Sequence, residues 1–82
     1  MPTVLRRSGL RVIIYPNDHR PAHVHVLGAG KEALFYLNCP AGPPTLRGYF
    51  RFTLKEVNRL QETLAPDLYE LCKAWKVIHG NY

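Results

Sequence analysis

The sequence predicts an α+β domain: a four-stranded antiparallel β-meander followed by two antiparallel helices packed on one face of the sheet. Three observations carry this expectation. Up to Asn38, apolar and polar residues alternate at the two-residue period of strands, in segments separated by short turns. From Thr53 onward the apolar residues recur at the spacing of a helix face. Between them, Cys39 to Pro44 holds three prolines, which remove backbone donors and fix φ. The 82 residues are accordingly read as one domain, with the sheet in 1–38, a proline- and aromatic-rich connector in 39–52 and the helices in 53–79.

Val4 to Arg7, a Ser8-Gly9 turn and Leu10 to Tyr15 make the first hairpin, since glycine accepts the positive φ of tight turns. The second arm is β-branched and aromatic, as strands prefer, and puts Leu10, Val12 and Ile14 on a core face. Ala22 to Leu27 is the third strand. Gly28-Ala29-Gly30 turns the chain into the fourth, Lys31 to Asn38, with Ala33, Phe35 and Leu37 on one side. Short turns between neighbours favour a meander. Thr45 to Phe52 admits an extra short strand, its aromatics interleaved with Arg47 and Arg51.

Thr53 and Glu56 form a capping box, and Phe52 with Val57 fits the hydrophobic staple beside it. Leu54, Val57, Leu60 and Leu64 make the first stripe. Ala65-Pro66 interrupts it, because a residue before proline is driven out of the helical region. Pro66 and Asp67 then suit the start of a second helix. Leu68, Leu71, Cys72, Trp75 and Ile78 line one face of it before Gly80 caps its end.

The net charge is +5, and the whole excess lies in residues 1–52, where seven basic residues stand against two acids. Residues 53–82 hold four of each. Such asymmetry attracts polyanions or an acidic protein, and Arg6, Arg7, Arg11, Arg20 and Arg47 are the candidate contacts to RNA or DNA. No apolar run is long enough for a membrane span. The N-terminus lacks the charged and apolar regions of an export signal, so a cytoplasmic protein is expected. Reduced thiols at Cys39 and Cys72 follow from that, with a bridge between them left open. P-loop, Rossmann, serine-nucleophile and CxxC motifs are all missing.

The chemistry concentrates in Asn17-Asp18-His19-Arg20-Pro21-Ala22-His23-Val24-His25-Val26, which holds three of the four histidines. Alternation puts His23 and His25 on one strand face, roughly 6.6 Å apart along the chain. The turn-forming Pro16-Asn17-Asp18 delivers Asp18 and His19 beside them. Three readings are open. His23 and His25 with His19 or Asp18 can hold a divalent ion such as zinc, with a position left open. The catalytic set Asp18, His19, His23 and His25 can instead move protons at a phosphodiester, with arginines on the phosphate and no cofactor. The histidines can also be structural or face a partner, so whether the chain is an enzyme stays open. His79 is read as favouring the negative end of the last helix dipole.

The chain resembles a small bacterial and archaeal family, the domain of unknown function 4160. The resemblance rests on Met1-Pro2-Thr3-Val4-Leu5-Arg6, Asn17-Asp18-His19-x-Pro21-x-His23-Val24-His25-Val26, Glu32-Ala33-x-Phe35, Leu37-Asn38, Arg47-Gly48 and the helix with Glu56 and Asn58-Arg59. It brings no activity with it. Members are often encoded beside the domain of unknown function 2442, and such pairs look like toxin–antitoxin modules. The resemblance therefore implies a module component working through a small protein partner and nucleic acid. The alternative is a histidine- or metal-dependent, ribonuclease-like phosphodiester hydrolase.

Overall fold

The computed structural model describes residues 3–7 and 9–82. Met1, Pro2 and Ser8 lie outside them, and with Ser8 half of the first expected turn. Among the described residues, five strands follow one another as β1 (Thr3–Arg7), β2 (Leu10–Ile13), β3 (His23–Gly28), β4 (Lys31–Tyr36) and β5 (Thr45–Phe50). They form one antiparallel sheet in sequence order, so the meander holds but with five strands rather than four. The fifth is the extra strand admitted in the connector. It has no fully buried residue and Gly48 in its middle, so it lacks the apolar alternation that marks the others.

The β3–β4 hairpin sets the register that the site depends on. Ala29 and Gly30, at φ 52° and 76°, make a two-residue turn whose twist matches the strands. Gly28 then pairs with Lys31, Leu27 with Glu32 and His25 with Leu34. Val12, Val24, Val26, Ala33 and Phe35 face the core, where Val57, Leu60, Leu64, Leu71 and Trp75 of the helical segment cover them. Arg11, His25, Glu32 and Leu34 consequently lie on the opposite face.

The two antiparallel helices are replaced by a single bent helical run. α1 (Leu54–Leu64) passes through a 3-10 turn, Ala65–Asp67, directly into α2 (Leu68–His79). Ala65 keeps helical angles, φ −54° and ψ −44°, despite the proline after it, so the chain bends without reversing. Pro66 sits in the first turn of the 3-10 segment, where a missing N–H costs least. Leu54, expected in the stripe, is 58% exposed, and Ile78 is 36% exposed. Gly80 ends the run at φ 89°, as expected of a C-cap.

Cys39 and Cys72 are joined by a disulfide, which corrects the expectation of reduced thiols. The connector crosses α2 closely enough to bring their Cα atoms to 5.8 Å. Gly42, at φ 68°, lies against Leu68 where a side chain would collide. The connector's polar backbone is satisfied locally: Gln61 donates to the Pro44 carbonyl, and Asn38 to that of Pro43.

At the start of α1, the Glu56 N–H donates to the Thr53 hydroxyl, and the Thr53 N–H donates to the Glu56 carboxylate at 2.8 Å. The Thr53 backbone bond, then the Lys31 ammonium at 3.2 Å, hold the Glu56 carboxyl below its usual range. A lowered folded value means that Glu56 stabilises the fold above the ordinary carboxylate range, and that this is lost as pH falls through the lowered value. Thr53→Ala should cost about 1 kcal/mol in denaturant melts. The stability gap between the wild type and Glu56→Gln should be widest at neutral pH and close in acid. The disulfide closes a loop of 33 residues' separation. Cys39→Ser should therefore lower stability by about 2–4 kcal/mol, and a reductant should do the same to the wild type but not to the variant.

Candidate functional site

The site begins where the chain leaves β2. Tyr15 and Asp18 close a turn on each other: the Asp18 N–H donates to the Tyr15 carbonyl, and the Tyr15 N–H donates to Asp18 Oδ2, both at 3.0 Å. This pins the Asp18 carboxylate in front of β3. β2 stops opposite His25, so His23 has a paired strand neighbour, Tyr36, only on the β4 side. The Trp75 indole lies beside the buried His23 ring, with centroids 5.3 Å apart.

Both imidazoles are oriented through Nδ1. That of His23 donates to the Pro21 carbonyl at 2.9 Å, an acceptor that fixes the proton on this nitrogen. That of His25 lies 3.2 Å from the Glu32 carboxylate, the same distance that separates its Nε2 from Asp18. With each neutral ring protonated at Nδ1, both Nε2 lone pairs face Asp18. His25 Nε2 is 3.2 Å from its carboxylate and His23 Nε2 is 3.6 Å away. Lone pairs aimed at a carboxylate repel it unless positive charge lies between them. Two protons can supply that charge, or one divalent cation.

The spacing suits the cation. Two donors at about 2.0–2.1 Å from a tetrahedral ion stand about 3.3–3.4 Å apart, between the two His–Asp distances. All three ligand atoms lie within 4.8 Å of one another. The Glu32–His25 contact repeats the carboxylate behind a ligating histidine that orients it and raises its basicity. Two histidines and one carboxylate leave positions open for water and substrate.

These three groups line a cleft of about 370 Å³. A family model described as Domain of unknown function (DUF4160) matches residues 9–76. The chain belongs to the DUF4160 family. No curated protein and no solved structure matches it. The DUF4160 match takes in every cleft residue and leaves Arg6 and Arg7 outside.

Of the expected ligands, the structure brings Asp18 rather than His19 to the paired imidazoles. His19 and Arg20 are exposed on the cleft wall, and Arg47 joins them from β5. A register shift between Leu34 and Phe35 makes Arg47 the extra residue of a bulge, which turns it toward the histidine face. Its guanidinium lies 5.8 Å from the Tyr36 ring. Arg6 and Arg11 pair across β1 and β2 on that same face. Arg7 is on the other one, where it holds Asp67 through two bonds of 2.8 and 3.0 Å.

Sequence reasoning missed three supports. Glu32 was legible in principle, because the two-residue β3–β4 turn places it one diagonal from His25. Tyr15 sets its ring edge-on to His25 at 4.8 Å. His79 stacks on Trp75 and bonds the Tyr15 carbonyl at 3.1 Å, tying the end of α2 to the site turn. Contacts over 64 positions leave no mark in a local pattern.

Proposed function

We propose that the cleft is the active site of a divalent-metal-dependent phosphodiester hydrolase acting on nucleic acid, with Asp18, His23 and His25 as the ligands. The observation that carries this reading is the convergence of both Nε2 atoms on one carboxylate, with each Nδ1 already engaged. A bound ion would activate water and draw charge from the phosphoryl group. The side chains do the rest. Arg20 holds the diester's unesterified oxygens and offsets the charge that grows on them. His19 protonates the departing alcohol as the P–O bond breaks. One water is consumed, and a phosphate monoester and an alcohol leave. The partner-dependent module implied by the family rests on gene pairing; the cleft is what this chain itself carries.

Calorimetry with untagged protein should find one zinc or manganese ion bound per chain, lost in His25→Ala and weakened about 10–100-fold in Glu32→Gln. Hydrolysis of bis(p-nitrophenyl) phosphate should need the ion. His19→Ala should keep the ion but lower kcat by roughly 100-fold or more. Tight zinc binding unchanged by His25→Ala, or hydrolysis indifferent to a chelator, would count against the proposal.

A further inference from the structure

The helical run covers one face of the sheet, and the histidine face carries side chains that the hydrolytic chemistry does not use. Phe50, at the end of β5, pairs with Glu32 and so lies on this face, 61% exposed. Counting strand spacings, it stands about 12 Å from His25. The Arg51 guanidinium lies 5.3 Å from its ring. Arg51 is a non-glycine residue at φ 69°, a left-handed conformation that costs free energy. Beside it, Arg47 and Tyr36 form a second guanidinium–aromatic pair, this one lining the cleft itself. Across the face from Phe50, in the same cross-strand row, lie Arg11 and Arg6. Glu32 is the acid of this row, and its carboxylate lies 3.2 Å from His25 Nδ1.

An aromatic ring flanked by a guanidinium offers a base a flat apolar surface and a cation at once. Two such pairs, with separate arginines for phosphates, match a strand whose bases are unstacked. A duplex keeps its base faces inside and can use only the arginines. We infer that the histidine face is a platform for single-stranded nucleic acid, with bases on Phe50–Arg51 and Tyr36–Arg47 and the backbone led toward Asp18, His23 and His25. Charge complementarity supports this: the whole +5 excess lies in residues 1–52, which include this face. The inference rests on the hydrolase reading for the fate of the strand, but not for its binding.

The test is fluorescence anisotropy with a labelled single-stranded oligonucleotide and the same sequence as a duplex, in chelator so that no cleavage occurs. The single strand should bind more tightly. Phe50→Ala should weaken it roughly 5- to 150-fold and leave the duplex nearly unchanged. Arg6→Ala with Arg11→Ala should flatten the salt dependence for both probes. Arg51→Gly separates function from fold: glycine accepts the left-handed angle, so the thermal midpoint should rise while single-strand affinity falls. Equal affinity for duplex, or single-strand binding indifferent to both Phe50→Ala and Arg51→Gly, would overturn the platform. No oligonucleotide binding at low salt would do so too, and would turn the charge toward an acidic protein. Wild-type hydrolysis of bis(p-nitrophenyl) phosphate is measured beside these titrations. If it survives their failure, the active site stands without the platform; if it is absent while the strand binds, the platform stands without the hydrolase.

Discussion

Two imidazole nitrogens face one carboxylate, and much of the structure serves to keep them there. The Asp18 carboxylate would turn to solvent if the Tyr15 N–H did not hold it. His23 and His25 would rotate if the Pro21 carbonyl and the Glu32 carboxylate did not engage their Nδ1 atoms. Oriented in this way, with both rings protonated at Nδ1, the three groups leave room for positive charge among them. A buried or half-buried arrangement of this kind costs free energy, and sites that bind cations are where such preorganisation is repaid. Rigidity comes from the strand alternation beneath, which leaves His23 and His25 on the same side of a sheet whose other side is packed.

The division of labour between the two sheet faces follows from the helical run. α1 and α2 cover Val24, Val26, Ala33 and Phe35, so most of the core lies on one side, while Ile13 is buried beside His25 on the other. The disulfide holds the connector to α2, and α2 in turn reaches the site through Trp75 and His79. The site turn is therefore braced by an element more than fifty positions away in the chain. A bend at Pro66, rather than a reversal, lets α2 continue far enough to make that contact. The family match stops at residue 76, so His79 lies beyond it, and the brace is described for this chain alone.

Much of the frame was legible because its signals are local. Alternation placed Val24 and Val26 against His23 and His25, and Thr53 with Glu56 marked the start of α1. The turn residues Pro16-Asn17-Asp18 located the mouth of the site. What escaped had other causes. β5 lacks a buried stripe because it is an edge strand. The pre-proline preference of Ala65 points to two separate helices, but Ala65 keeps helical angles and the run continues. The Cys39–Cys72 bond depends on where the connector lands, which no spacing reveals. Asp18 rather than His19 joins the histidines because a backbone N–H, invisible in a sequence, selects which neighbour in the turn points inward.

The central claim is that a divalent ion is held at Nε2 of His23 and His25 together with Asp18. Long-range proton–nitrogen correlation spectra of the imidazoles, recorded while untagged protein is titrated with zinc, test it most directly. The account predicts that the Nε2 resonances of His23 and His25 move together and saturate at one equivalent. Their Nδ1 atoms should stay protonated, and the rings of His19 and His79 should be unaffected. Zinc that moves the Nδ1 resonances, that acts on His19 instead, or that leaves all four rings unchanged at one equivalent would contradict it.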